Sequence, residues 1–189
     1  MSEPTKVNIP DEICFITTRT QGSLLWFMNN KKFRNELLGY LAKYREVYGV
    51  ALYGFILMGN HYHLIARFPN GNRDDFMKVF NRIFNNILKR YVDGFKGGHL
   101  WGSRYRPQAL PRKEDVFHWF IYLACNPISS GLVDSLEDYE GYNSFFLSLT
   151  GETQVYTLID WEDYDNRKRY NKELRPEDCV ETYELKFDR

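Results

Sequence analysis

Short runs of β-forming residues alternate along this chain with longer segments in which apolar residues recur at helical spacing. Residues 13–18 (ICFITT) are β-rich and predict a strand. Within residues 31–48 the apolar positions fall three or four residues apart, which predicts a helix, and Gly49 is a suitable residue to end it. Residues 50–58 (VALYGFILM) are almost all apolar and predict a buried strand.

The pattern continues with a hairpin and a second helix. A Gly-Asn turn signal follows the buried strand, so residues 61–68 are predicted to return antiparallel to it. Asp74 or Asp75 can then cap a helix that runs to about Tyr91 with an apolar stripe along one face. After a glycine-rich link, residues 100–110 (LWGSRYRPQAL) have an ambiguous pattern that can supply a last strand.

The predicted order of elements, strand-helix-strand-strand-helix-strand, is that of a ferredoxin-like or split βαβ fold in the α+β class. This fold has an antiparallel sheet with its helices on one face, which leaves the other face free for a ligand. Residues 114–125 predict an added helix that ends or kinks at Asn126-Pro127. Residues 1–150 are therefore predicted to form one domain, and residues 151–189, which are polar, acidic and weakly periodic, an appended extension with some local structure.

Charge is distributed unevenly along the chain although its net charge is zero. Residues 1–60 carry a net charge of +2, residues 61–113 carry +8, and residues 114–189 carry −10. A segment as basic as the middle one suggests a polyanionic partner. A solvated, lysine-rich helix face would explain the same charge about equally well.

Whole-chain properties are typical of a folded cytoplasmic protein. Hydrophobic residues make up 43% of the chain and charged residues 26%, which excludes a disordered protein. No apolar run approaches the roughly 18 residues that cross a bilayer, and residues 1–12 contain no signal-peptide core. The three cysteines, Cys14, Cys125 and Cys179, are far apart and odd in number, as expected of reduced thiols rather than a disulfide framework or zinc site.

Two of the four histidines flank one tyrosine in the predicted strand 61–68. Side chains two residues apart on a strand project from the same face, so His61 and His63 point one way and Tyr62 points the other, towards the core. The histidine pair can place two imidazole nitrogens on one divalent metal ion. Alone, this spacing is a weak signal, because most such pairs lie on strands that bind no metal.

The added helix carries a polar stripe that its packing does not require. His118, Tyr122 and Asn126 follow one another at intervals of four residues and therefore share one face of the helix. The stripe is either the solvent side of the helix or part of a site.

Taken together, these features resemble a known family, the REP-associated tyrosine transposases, which are a branch of the single-tyrosine HUH (His-hydrophobic-His) transposases. Four segments carry the resemblance, in the family's order and over about residues 10–150: Asn60-His61-Tyr62-His63-Leu64, Leu100-Trp101-Gly102-Ser103-Arg104-Tyr105-Arg106, Tyr122 through Val133 with its Asn-Pro and Gly-Leu-Val, and Asp138 through Phe145. Gly59 stands where the family usually has proline, and Ser129-Ser130 stands where it usually has Arg-Ala.

The resemblance implies a reaction and roles for the residues. Tyr122, on the added helix, would be the nucleophile. His61, His63 and Asn126 would bind a divalent metal ion, Mg²⁺ or Mn²⁺. The implied reaction is cleavage and strand transfer of single-stranded DNA near hairpin-forming repeats through a covalent 5′-phosphotyrosine. His118, one turn before the tyrosine, could accept the phenol proton; a phosphate contact or a supporting role are the alternatives.

DNA contacts are predicted from the basic segment. The candidates for contacts with the DNA backbone are Lys89, Arg90, Arg104, Arg106, Arg112 and Lys113. Trp101 or Tyr105 could stack on an unpaired base. The acidic extension is hypothesised to fold against the basic surface or to restrain the access of DNA.

Other functions remain open from the sequence. The main alternative is a catalytically inactive nucleic-acid-binding module of the same fold, or a module that binds RNA on the open face of the sheet. A generic metallohydrolase is a weaker interpretation, because no cluster of carboxylates accompanies the histidines. Both a monomer and a homodimer are compatible with the sequence.

Overall fold

A computed structural model describes residues 8–28 and 30–189 of the protein and contains a five-stranded antiparallel sheet with helices on both of its faces. The strands are β1 (Glu12–Arg19), β2 (Ala51–Leu57), β3 (His61–Phe68), β4 (Arg106–Ala109) and β5 (Tyr142–Asn143), with β6 (Gln154–Ile159) and β7 (Val180–Leu185) in a separate pair. The helices are α1 (Lys31–Tyr48), α2 (Arg73–Tyr91), α3 (Lys113–Ala124), α4 (Asn126–Ser129), α5 (Phe145–Thr150) and α6 (Trp161–Lys168). The strand order β4-β1-β3-β2 confirms the ferredoxin-like prediction, and β5 adds two residues beside β2.

Local signals set the bounds of α1 as predicted. The side chain of Asn30 accepts a hydrogen bond from the Phe33 amide at 2.9 Å, which caps the first turn. Gly49 ends the helix in the left-handed conformation, with φ of 62°, which costs glycine little. In the part of the chain that the structure describes, neither this helix nor any other combines the length and the apolar character needed to cross a membrane.

The central strand, β3, pairs with β1 on one side and with β2 on the other. In the register of these strands, Thr17 lies opposite His63 and Arg19 lies opposite His61. Tyr62 projects from the other face and is fully buried, as predicted from the alternation.

Each face of the sheet has its own hydrophobic core. The larger core lies between the sheet and helices α1 and α2, where Phe33, Tyr62 and Phe84 are packed. The smaller core lies between the opposite face and α3 and includes Phe15 and Leu123. The expectation that this second face is free for a ligand is therefore wrong for its middle part, because α3 covers it.

The last strand is shorter than predicted, because residues 100–105 do not continue it. β4 contains only Arg106–Ala109, whereas Leu100 is buried in the main core and Trp101 packs against that core. The apolar side chains at the start of this segment therefore serve the core rather than extending the sheet.

Residues 151–189 contain a hairpin that packs on α1. Strands β6 and β7 lie against this helix, and Leu158, Leu185 and Phe187 are buried. Two ion pairs fix the contact, Lys43 with Glu181 at 2.9 Å and Arg45 with Asp188 at 3.1 Å. The hairpin thus shares the main core and lies on the face of the sheet that α1 and α2 cover, whereas the histidine pair lies on the opposite face. The hypothesised role of the extension in restraining DNA access stays a prediction.

We expect Leu185→Ala to lower the free energy of unfolding by about 2–5 kcal/mol, because it leaves a cavity beneath the hairpin. Leu185 is fully buried in the main core, whereas Leu149 on α5 is exposed. Urea denaturation would measure the effect, with Leu149→Ala as a control that costs less than about 0.5 kcal/mol. Equal effects of the two substitutions would show that the hairpin is not packed as described.

Candidate active site

An open groove of about 550 Å³ lies where strands β1, β3 and β4 meet the C-terminal half of α3. It brings together four of the residues singled out in the sequence: His61, His63, Tyr122 and Asn126. The histidines come from the start of the central strand, β3, the tyrosine from α3, and the asparagine from the first position of α4.

The two histidines are buried, and their rings lie close together, with centroids 4.9 Å apart. Burial lowers the pKa of His61 to about 4, and the positive charge of Arg19 adds to the shift. Burial likewise lowers the pKa of His63 to about 3, with further contributions from His61 and Arg19. Both imidazoles are therefore neutral at pH 7, which is the form that binds a metal ion.

Neighbouring side chains orient both rings. Asn60 Oδ1 accepts a hydrogen bond from Nδ1 of His61 at 2.7 Å, while the Asn60 amide group donates to the carbonyl of Ser23. Nδ1 of His63 lies 2.9 Å from the hydroxyl oxygen of Thr17. Because Oδ1 of Asn60 can only accept, His61 carries its proton on Nδ1 and has its lone pair on Nε2. The hydroxyl group of Thr17 can donate or accept, so it sets the orientation of the His63 ring but not its tautomer.

Asn126 completes a set of donor atoms. Its Nδ2 lies 3.3 Å from Nε2 of His63, and the side chain is buried. Its Oδ1 is also buried and has no hydrogen-bond partner among the residues that the structure describes. A buried carbonyl oxygen without a partner is costly, and a bound cation would satisfy it.

The donor set fits a divalent cation of the predicted kind. Two neutral imidazoles and one amide oxygen accept several divalent ions, and the amide oxygen is the ligand type that suits both Mn²⁺ and Mg²⁺. Within residues 8–28 and 30–189 no group of three or more His, Cys, Asp and Glu side chains could hold a metal ion. A metal ion in the groove would therefore depend on Asn126 as its third protein ligand.

Aromatic contacts hold Tyr122 at the edge of the groove. Its ring meets those of Trp119, His63 and Phe15 edge to face, with centroid distances of 5.1, 5.7 and 5.8 Å. The side chain is still 44% exposed. The phenol thus has a fixed position beside the histidines and can be reached from solvent.

Positive charge lines the rim of the groove. The exposed side chains of Arg19 and Arg106 face it, and none of the described residues that line it is acidic. A groove with two guanidinium groups and no carboxylate suits an anion such as a phosphodiester.

His118 lies outside this arrangement. It is exposed one turn before Tyr122, contacts the ring of Trp119 at 5.7 Å, and is not among the residues that line the groove. Its part in proton transfer stays a prediction.

Three of the predicted DNA-contacting residues have partners within the protein. Trp101 packs on Phe84, with ring centroids 5.0 Å apart, and it is partly buried. The hydroxyl group of Tyr105 donates a hydrogen bond to Asp74. Arg90 pairs with Glu36 and lies over the ring of Trp161 in the extension. Trp101 and Tyr105 are thus partly buried and contact other residues of the protein, and stacking of either on an unpaired base stays a prediction.

The remaining basic candidates are exposed. Only Arg106 lines the groove, while Arg112 forms an ion pair with Asp115 on the first turn of α3. Lys89, Arg104 and Lys113 are also exposed and do not line it.

Two further residues of the site, Thr17 and Arg19, do not stand out in the sequence, and Asn60 stands out there only as part of a turn and a motif, with no role of its own. Thr17 and Arg19 alternate with core residues on β1 and lie directly opposite the two histidines. Their signal is the cross-strand register, which follows only once β1 is paired with β3.

Comparison with known proteins supports the fold. No protein-family model and no curated protein matches the chain. A solved structure of a REP-associated tyrosine transposase bound to a REP hairpin is similar, with a TM-score of 0.60 over 77% of this chain and 84% of that chain, at 20% sequence identity. The fold predicted from the sequence is thus confirmed. The resemblance to REP-associated tyrosine transposases holds at the level of the fold.

Proposed function

We propose that this protein is a metal-dependent tyrosine transposase of the HUH type, which cleaves and rejoins single-stranded DNA near hairpin-forming repeats. The observation that carries the proposal is the convergence of Tyr122 with His61, His63 and Asn126 in one cationic groove. A structure with the same fold is bound to a hairpin of repeat DNA, which supports hairpin DNA as the substrate class.

The metal site in this proposal consists of the Nε2 atoms of His61 and His63 and Oδ1 of Asn126. When bound, Mg²⁺ or Mn²⁺ would supply positive charge that stabilises the negative charge developing on the scissile phosphate. Asn60 keeps His61 in the tautomer and orientation that ligation requires, and Thr17 holds the orientation of the His63 ring.

The side chains of the groove divide the reaction between them. Arg19 and Arg106 bind the DNA phosphates. The phenol oxygen of Tyr122 attacks the scissile phosphorus, the bond from phosphorus to the 3′ oxygen breaks, and the strand is left with a 5′-phosphotyrosine and a free 3′-hydroxyl. The phenol proton leaves to solvent or to His118, and the departing 3′ oxygen takes up a proton. Attack by another 3′-hydroxyl on the phosphotyrosine reverses these steps, so rejoining of the DNA strand needs no nucleoside triphosphate.

Tyr122 and the three proposed metal ligands belong to one chain and line one groove. A monomer can therefore carry the complete site. Exchange of α3 between two subunits is not required for the chemistry.

Formation of a covalent adduct tests the proposed function. Incubation with Mn²⁺ and a set of single-stranded hairpin oligonucleotides is expected to give a protein–DNA adduct that survives denaturation. A protein that binds the hairpins and Mn²⁺ but gives no adduct with any of them would be the inactive binding module instead.

We expect Thr17→Val to weaken Mn²⁺ binding about tenfold, because it removes the hydroxyl group that orients His63. Thr17→Ser keeps the hydroxyl group and should bind Mn²⁺ as the unaltered protein does. Isothermal titration calorimetry measures the affinity independently of catalysis. Equal affinities of the valine and serine variants would mean that Thr17 has no part in positioning the histidine.

A further inference from the structure

A second cavity, of about 700 Å³, adjoins the groove and is mostly apolar. The two share three lining residues, Arg19, His61 and Ser130, so the cavity begins beside the histidines. Its size is within the roughly 300–1,000 Å³ typical of sites for small organic groups. We call it the apolar cavity.

One wall of the apolar cavity is a loop held against the β2–β3 turn. The Phe27 amide donates to the carbonyl of Gly59 at 3.0 Å, and the side chain of Asn60 donates to the carbonyl of Ser23 at 3.0 Å. A Cβ atom at Gly59 would lie 2.9 Å from Cγ of Met28, so glycine permits this close approach. The loop is thus fixed beside the histidine strand.

The opposite wall comes from the chain that follows α4. Tyr139 donates a hydrogen bond to the carbonyl of Leu57 at 2.7 Å, which holds this segment against β2. Arg34 on α1 donates to the carbonyl of Glu140 and ties the same segment to that helix. Contacts of this kind give the cavity a defined shape on both sides.

Large apolar side chains line this cavity yet remain open to solvent. Leu25 is 62% exposed, Met28 is 50% exposed and Leu132 is 56% exposed. Charged side chains of both signs, including Arg34 and Asp138, also line the cavity. Apolar surfaces with donors and acceptors at their edges match a nucleobase, which has flat apolar faces and a polar rim.

We propose that the apolar cavity binds the base of an unpaired nucleotide next to the phosphate held in the groove. The inference rests on the proposed function, since it places the DNA backbone beside Arg19 and His61. From there the strand continues past Ser130, and the neighbouring base enters between the 24–28 loop and Leu132. The cavity would then select DNA by the identity of one unpaired base, whereas the groove contacts only the backbone.

Binding of oligonucleotides with single abasic positions tests this proposal. The protein carries Tyr122→Phe, so that no adduct forms, and the probes are hairpins with an unpaired flank on each side. The test variant adds Met28→Ser and Leu132→Ser. The control adds Leu149→Ser and Val180→Ser, whose side chains are 56% and 49% exposed, away from the cavity. Fluorescence anisotropy gives the affinity, and thermal unfolding shows that each variant is folded.

We expect one unpaired position at which loss of the base weakens binding about tenfold. The test variant should bind the intact hairpin about tenfold more weakly than the parent protein does. It should bind the hairpin that lacks that base with the same affinity as the parent protein. The control should bind both probes as the parent protein does. If the test variant binds like the control, or weakens both probes equally, the apolar cavity does not hold a base.

Failure of this inference can be told from failure of the proposed function. Adduct formation by the protein with Tyr122 intact, together with no effect of the test variant, would remove the base site and leave the enzyme. Base-dependent binding without any adduct would leave the base site in a protein that binds DNA and does not cleave it. Absence of binding to every hairpin would overturn both.

Discussion

We expect Tyr122→Phe to abolish the covalent adduct and to lower the rate of strand cleavage by at least about a thousandfold, because it removes the oxygen proposed as the nucleophile. The ring contacts of Tyr122 with Trp119, His63 and Phe15 do not use that oxygen, so the fold and the groove should persist. Affinity for hairpin DNA should therefore change less than threefold, as measured by fluorescence anisotropy, while a denaturing gel follows cleavage.

A second tyrosine provides the control for this substitution. Tyr170 is 93% exposed and lies in the extension, outside the groove. Tyr170→Phe should leave cleavage and adduct formation unchanged. Cleavage by Tyr122→Phe at a rate near that of the unaltered protein would assign the nucleophile to another group.

The second large effect concerns the metal site. We expect Asn126→Leu to weaken Mn²⁺ binding by at least about tenfold, because it removes one of the three proposed ligands while keeping a similar side-chain volume. Asn126→Asp retains an oxygen at this position and should keep Mn²⁺ bound. The electron paramagnetic resonance signal of free Mn²⁺ measures binding without any DNA or turnover.

The two variants of Asn126 separate ligation from packing. Both alter the contact of Asn126 with Nε2 of His63, so a purely structural role would make them behave alike. If leucine and aspartate variants bind Mn²⁺ equally well, Asn126 is not a ligand. Loss of Mn²⁺ binding in both would point instead to the contact with His63.

The fold was largely predictable from the sequence, because residues at or next to the ends of its helices and strands indicate where these elements begin and end. The bounds of α1 and β3 agree with the prediction, since Asn30 and Gly49 act at the ends of the helix and a two-residue turn precedes the strand. Local signals of this kind did not predict the structure of residues 100–110. Trp101 and Tyr105 lie among arginines, and their burial depends on packing against α2, which no local pattern encodes.

The extension shows a different reason for incomplete prediction. Its β6 and β7 strands have the alternation of half-buried strands, with Leu158 and Leu185 turned towards α1. The many charged residues around them hide that alternation in the sequence. Burial of these leucines depends on the surface of α1, which the hairpin meets only in the folded chain.

The candidate site was predictable where residues are linked by spacing along one element. His61 and His63 share a strand face, and Tyr122 and Asn126 are one helical turn apart, so each pair follows from the periodicity. Thr17 and Arg19 belong to the site through cross-strand register instead. The contact between His63 and Asn126 depends on how α3 packs on the sheet. The resemblance to the transposase family suggested this contact, and no local sequence pattern did.

The central claim is that Tyr122 attacks DNA in the groove, and tandem mass spectrometry of the digested adduct tests it most directly. The adduct is treated with nuclease and protease, and the peptide that retains a nucleotide is sequenced. We predict that the 5′-phosphate remnant lies on Tyr122. A remnant on any other residue, with Tyr122 unmodified, would contradict the account.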